Sequence, residues 1–231
     1  VCSSDLNVKS MGKYIDRNPE SEWGIVELDQ YSVKENKDKR FFVLDNFYSD
    51  PHGVREFALQ QTYYPGEGAV GHRTRKQFMF DGLRESFEEI IGAKIPDHDN
   101  GYGWFDEGIN GRFQYCPAGT PSVFHCDVQK WAAVIYLTPD APPQSGTSFY
   151  RHKETKIFHN SQINWDAGQG TQVFNQHTFV DSTPYEMVDT VGNVFNRLVL
   201  FDGGLIHSGI NYFGWDISSS RLFHIFFFNQ I

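Results

Sequence analysis

Residues 112–140 read RFQYCPAGTPSVFHCDVQKWAAVIYLTPD. The middle of this stretch holds His125, Cys126 and Asp127, and an apolar run from Trp131 to Leu137 follows. In an extended chain, side chains at i and i+2 share a face. His125 and Asp127 therefore offer an imidazole and a carboxylate side by side. A metal held there needs a third ligand, for which His207 is the candidate. Two histidines and one carboxylate, with the opposite positions open, suit a non-haem Fe(II) site that activates oxygen.

A His-x-Asp is short and arises easily by chance in a chain with nine histidines, and His152-Lys153-Glu154 is a local rival of the same kind. What surrounds the motif therefore matters. Toward the C-terminus, Asn196–Gly204 reads NRLVLFDGG and leads into LIHSG, which contains His207. Fourteen residues later Arg221 opens RLFHIFFFN, a strongly apolar strand. A buried guanidinium at the head of such a strand needs an anion, and its forked donors match a carboxylate.

On the N-terminal side, Phe41–Leu44 reads as a strand. Asp50-Pro51 reads as a helix start, with Asp as cap and Pro in the first turn; Val54, Phe57 and Ala58 give it an apolar stripe. Residues 63–76 are turn-rich and carry His72, Arg73, Arg75 and Lys76, a local basic cluster able to hold an anionic group of a substrate. A second helix is expected from Asp81, with Leu83, Phe87, Ile90 and Ile91 at helical spacing and Gly92 closing it. Asn110-Gly111 suits a hairpin turn. Strands are then expected at 112–116, 122–128, 131–138, 146–150, 171–174, 197–202 and 221–228. Many strands with Gly and Pro punctuation, preceded by two helices, predict a mainly β (α+β) fold: a double-stranded β-helix, or jelly roll, backed by N-terminal helices.

Composition sets the outer bounds. The chain has 231 residues, 39% of them hydrophobic, with 21 phenylalanines and a formal charge of −9. It can bury a real core, and its charge disfavours nucleic acid as a partner. Three cysteines without a CxxC form neither a disulfide framework nor a zinc knuckle. That usage, with no 18-residue apolar run and no signal-peptide pattern at the start, points to an intracellular, cytoplasmic setting without a membrane span. Residues 1–39 read as a polar arm, with an edge strand near Ile25–Leu28 as one option. Residues 1–6 have the look of non-native sequence. Residues 40–231 are expected to form one domain.

Taken together, these motifs resemble the Fe(II)- and 2-oxoglutarate-dependent dioxygenases of the prolyl-4-hydroxylase-like branch. That pattern is His-x-Asp, a distant His, then a basic residue one or two dozen positions on. Arg112 to Tyr115 resembles the strand that precedes the motif there. Tyr136-Leu137, the short strand from Gly146 to Tyr150 and the apolar strand Leu198–Phe201 also have counterparts in that branch. The resemblance implies that His125, Asp127 and His207 bind Fe(II) and that Arg221 pairs with the C5 carboxylate of 2-oxoglutarate. Tyr136 would hydrogen-bond that carboxylate, and Tyr115 the other end of the cosubstrate. It implies O2 as second cosubstrate, decarboxylation to succinate and hydroxylation of a C–H bond. Phe223, where the family often has Ser or Thr, and the reduced pair Ser145-Gly146 depart from the pattern.

The implied substrate is a peptidyl proline, an amino acid or another small molecule; the oligomeric state stays open. One rival is a cupin-like binding module that keeps the metal without the reaction. Another is a metal-free structural jelly roll. Residues 153–184 read as an insertion between strands, part of which is expected to cover the metal and help choose the substrate.

Overall fold

The computed structural model describes residues 41–65, 70–106, 108–174 and 180–231. The arm at 1–39, with the possible strand near Ile25–Leu28, lies outside them. All the described residues fall in the compact unit Arg40–Ile231. Among the described residues, ten strands form two antiparallel sheets, with three short α-helices.

The large sheet contains β1 (Phe41–Leu44), β2 (Tyr63–Pro65), β3 (His72–Thr74), β4 (Arg112–Cys116), β5 (Trp131–Tyr136), β8 (Leu198–Asp202) and β10 (Arg221–Phe228). Their order is β1-β8-β5-β10-β4-β3-β2. The small sheet places β6 (Thr147–His152) between β7 (Tyr185–Val191) and β9 (His207–Gly209).

Strand β10 shows why the chain folds this way. It pairs with β5 on one side and β4 on the other, so Phe223 lies between Tyr136 and Gln114. Both of its faces are covered, which explains its nearly unbroken apolar sequence. Arg221, Phe223, Ile225 and Phe227 face the space between the sheets. Leu222, His224, Phe226 and Phe228 face the other way, among residues packed beneath the helices.

Helix α1 (Pro51–Leu59) starts where Asp50 caps it, accepting from the Gly53 amide at 2.9 Å. It buries Ala58 against Phe113, Leu137 and Leu222. Helix α2 (Leu83–Ile91) ends at Gly92, whose left-handed backbone returns its amide to the Glu88 carbonyl. It buries Leu83 and Phe87 on the outer face of the large sheet. Phe87 meets Phe47, Trp104, Phe226 and Phe228 at ring-centroid distances of 5.0–5.9 Å; such pairs add roughly 0.5–1.5 kcal/mol each beyond burial. The opposite, inner face meets the small sheet through Tyr136, Val199, Phe201, Phe223 and Ile225 against Phe149 and Val191.

Several expectations differ from what is observed. Residues 122–128 form an extended segment with one bridge, His125 to His207, rather than a strand. Residues 171–174 fall in or beside helix α3 (Gln169–Val173), because a helical turn buries Val173 and lets its carbonyl accept from the Tyr185 hydroxyl at 2.6 Å. The turn-rich segment at 63–76 contributes β2 and β3, held by pairing with β4. Asn110-Gly111 makes no hairpin. Asn110 is buried, donating to the Trp104 carbonyl and accepting from the Phe227 amide.

Candidate metal centre

His125 and His207 are held side by side by a two-way backbone bridge. The His125 amide donates to the His207 carbonyl at 3.2 Å, and the His207 amide returns a bond of 2.9 Å. Their ring centroids lie 4.3 Å apart. The Asp127 amide donates to the Gly203 carbonyl at 2.7 Å, which brings the carboxylate under the same rings. A side chain at Gly203 would press on Asp127 Cβ and the Gln129 carbonyl, so the chain needs glycine here. One ligand atom from each of His125, Asp127 and His207 lies within 4.8 Å of the others. Among the described residues, this is the group of three His, Cys, Asp or Glu side chains with that geometry.

The hydrogen bonds define the protonation of this cluster. His125 Nδ1 sits 3.0 Å from the Val123 carbonyl, and His207 Nδ1 sits 2.8 Å from the Leu205 carbonyl. A carbonyl only accepts, so both Nδ1 atoms carry the proton. In a neutral ring the Nε2 atom then presents a bare lone pair. Burial, and secondarily the neighbouring His125, hold the His207 pKa down at about 4, so its ring is neutral at pH 7. His207 Nε2 lies 3.4 Å from Asp127 Oδ2, and His125 Nε2 lies 3.5 Å from Asp127 Oδ1. These distances exceed a good hydrogen bond, and Asp127 Oδ2 is buried with no hydrogen-bond partner. Two imidazole nitrogens and a carboxylate thus converge on one point, a donor set able to hold a divalent cation, and Nδ1–H···O=C bonds of this kind are the outer support that metal-binding histidines use.

Cys126 lies between two of these residues yet points elsewhere, packing with the Phe124 and Ile206 cluster. Burial raises its thiol pKa to about 12, so it stays protonated. The rival His152-Lys153-Glu154 is not part of such a cluster. His152 is buried and accepts from the Thr155 amide at 3.2 Å. His159 is also largely covered: it caps the 3-10 turn Asn160–Gln162 and meets Asp202 at 3.1 Å. His177 lies outside the described residues.

The cluster faces a pocket of about 660 Å³ between the sheets, a size typical of small-molecule sites. Arg221 is at the pocket wall, 2% exposed, and no carboxylate lies within ion-pair distance of it among the described residues. Its Nε has no hydrogen-bond partner, and Nη2 donates weakly to Thr147 Oγ1 at 3.3 Å. Gly209, two residues beyond His207, makes room for the guanidinium, because a Cβ there would strike Arg221 Nη1 and the Tyr212 hydroxyl. The Tyr136 hydroxyl is hydrogen-bonded to the same Thr147 Oγ1 at 2.8 Å, and its ring lies 5.3 Å from the guanidinium carbon.

Tyr115 is placed differently from the expectation. It packs on the outer face of β4, stacked on His72 at 4.7 Å and edge-on to Tyr63. Strand alternation is the reason: Gln114, one residue earlier, faces the pocket, so Tyr115 does not. Tyr115 is therefore not among the residues that line this pocket, whereas Gln114 is. Sequence reasoning also passed over Thr147 and Tyr212. Thr147 directly follows Gly146, and Tyr212 follows His207 by five residues. Neither spacing is distinctive without the fold.

The insertion meets the cluster from the other side. Asn160 Nδ2 donates to the Asp127 carbonyl at 3.2 Å. Trp165, Thr171 and Phe174 wall a second pocket of about 450 Å³ that shares His125 and Asp127 with the first. No helix among the described residues is long and apolar enough to cross a membrane.

Comparison with known proteins adds the following. A model for a family of unknown function, DUF6445, matches residues 113–217. That span includes His125, Asp127 and His207 and stops before Arg221. No curated protein matches. Similar solved structures include HygX from Streptomyces hygroscopicus with nickel and 2-oxoglutarate bound, at 11% identity over 80% of each chain and a TM-score of 0.46. A prolyl hydroxylase from Trichoplax adhaerens, in complex with a hypoxia-inducible-factor peptide, is 14% identical over 87% of this chain and 89% of its own, with a TM-score of 0.47. A prolyl-4-hydroxylase from Pseudomonas putida is 14% identical, over 83% of this chain and 93% of its own, with a TM-score of 0.42. These likenesses are loose, and the site's own residues carry its interpretation.

Proposed function

We propose that this chain is an Fe(II)- and 2-oxoglutarate-dependent dioxygenase with a jelly-roll core, hydroxylating a peptide or small-molecule substrate. The observation that carries the proposal is the pairing of two unmet needs in one pocket. Asp127, His125 and His207 converge lone pairs that call for a cation, and buried Arg221 calls for an anion. A divalent metal and a dicarboxylate meet both needs.

His125 Nε2, His207 Nε2 and one Asp127 oxygen would hold the iron. With 2-oxoglutarate and O2, bound Fe(II) supplies oxidative decarboxylation coupled to C–H hydroxylation. The chain's own contribution is positioning. Arg221 fixes the far carboxylate of the cosubstrate, with Thr147, Tyr136 and Tyr212 orienting the guanidinium. Phe223, Ile225 and Phe201 keep water from the pocket and make the ion pair stronger than it would be at the surface. The Nδ1 bonds to Val123 and Leu205 lock each imidazole in the ligand tautomer.

Anaerobic titration with Fe(II) and then 2-oxoglutarate tests the proposal. We expect a weak visible charge-transfer band in wild type, absent in Asp127→Ala and weakened in Arg221→Met. Fe(II) bound by wild type with no band at any 2-oxoglutarate concentration would instead leave a metal-containing binding module.

A further inference from the structure

We propose that Arg73, braced by Gln114, is a second anion position in the metal-centre pocket, and that it receives a carboxylate carried by the substrate. This inference rests on the function proposed above and narrows its substrate class.

Arg73 sits on β3 and lines the same pocket as the metal cluster and Arg221. Its Nε donates to Gln114 Oε1 at 2.8 Å, and Gln114 Nε2 in turn donates to the Val70 carbonyl at 2.7 Å. The guanidinium is thereby aimed, yet no carboxylate lies within ion-pair distance of it among the described residues. Burial, and secondarily Arg112 on the neighbouring strand, lower its pKa to about 10, while Cys116 and the more distant Asp127 carboxylate act the other way, so it remains a cation at pH 7.

Charge balance identifies what is missing. A divalent metal and dianionic 2-oxoglutarate cancel. Asp127 and Arg221 offset each other. Among the described residues Arg73 is left over, with Arg112 on the neighbouring strand as a further cation. A partly buried cation left this way is costly, so the pocket with both cofactors in place still calls for negative charge. A single forked guanidinium matches a monocarboxylate in two parallel hydrogen bonds. The rest of the wall is apolar, with Val70, Ile109, Val134, Ile225 and Phe227. The substrate class is thus an acid with an apolar body, either a free organic acid or a residue with a free carboxylate. An internal proline lacks that group.

The test uses the full chain loaded with Zn(II) and saturated with 2-oxoglutarate, titrated calorimetrically with benzoate, benzamide and phenyl phosphate. Benzoate should bind in wild type, benzamide at least ~10-fold more weakly, as expected for loss of a charge-assisted pair. Arg73→Met should weaken benzoate by a similar factor and leave 2-oxoglutarate affinity unchanged, with Arg73→Lys in between. Gln114→Leu, which removes the brace and keeps the charge, should weaken benzoate in part. Weakened 2-oxoglutarate binding in Arg73→Met would make Arg73 a cosubstrate contact and overturn the proposal. So would equal affinity for benzoate and benzamide, or a preference for phenyl phosphate. If wild type binds no 2-oxoglutarate, the dioxygenase proposal falls. Arg73-dependent benzoate binding to the Zn(II)-loaded chain would then still uphold the anion position.

Discussion

Burial keeps both His207 and His224 neutral, and each puts its bare nitrogen to a different use. His207 turns its Nε2 toward Asp127, where the proposed metal would sit. His224 is buried on the opposite side of β10, beneath the helices. Its Nε2 donates to the Gly111 carbonyl at 3.0 Å, so Nδ1 accepts from the Tyr48 hydroxyl at 2.8 Å. Burial depresses its pKa from 6.5 to about 3. The folded state therefore favours the neutral ring, and the unfolded state takes up the proton first. This contribution to stability is complete above pH 6.5 and is lost as pH falls from there toward 3. Urea unfolding of the metal-free chain between pH 6.5 and 4 should show a steeper loss in wild type than in His224→Gln. The difference should reach up to about 1.4 kcal/mol per pH unit; equal slopes would contradict this. Which histidine does which job was partly legible. The position of His224 three residues after Arg221 places it on the other face of a strand, but its two hydrogen bonds join residues 48, 111 and 224.

At the scale of elements, the strands with the plainest patterns were legible: 112–116 and 221–228 match β4 and β10 to the residue. Both are central strands whose apolar content follows from burial on two faces. The elements that escaped were short or depended on partners. Strands β2 and β3 have three residues each and exist by pairing. Helix α3 took up residues 171–174, TQVF, a stretch too short to show a period. The 3-10 turn at Asn160–Gln162 has a function visible only in place. Asn160 holds the Asp127 carbonyl, and its own amide donates to the Gly204 carbonyl at 2.8 Å. Asn160→Ala should leave the fold intact and weaken Zn(II) by about 10-fold in competition with a chelating dye, the lower end of what outer supports contribute. Unchanged affinity would show that the turn is passive.

For the molecule as a whole, metal and fold should be linked. The proposed ligands are His125, Asp127 and His207, so a bound ion would tie the segment before β5 to the small sheet. Zn(II) at 100 times its dissociation constant should add about 2.7 kcal/mol of stability, raising Tm by roughly 5–10 °C for a domain of this size. Asp127→Ala should remove that shift. A Tm rise of the same size in the variant would place the ion elsewhere.

The sequence by itself determined the kinds of groups and much of the β architecture. His-x-Asp, a distant histidine and an arginine heading an apolar strand are local signals, because residue type and strand period act over a few positions. Tertiary structure decided which of those groups meet. It turned Tyr115 outward and Gln114 inward through strand alternation, set by the register of β4 against β10. It brought Thr147 and Tyr212 to Arg221, and it set Arg73 in the same pocket with no carboxylate at ion-pair distance among the described residues. Those outcomes depend on pairing between strands more than 30 residues apart in sequence, which no local pattern encodes.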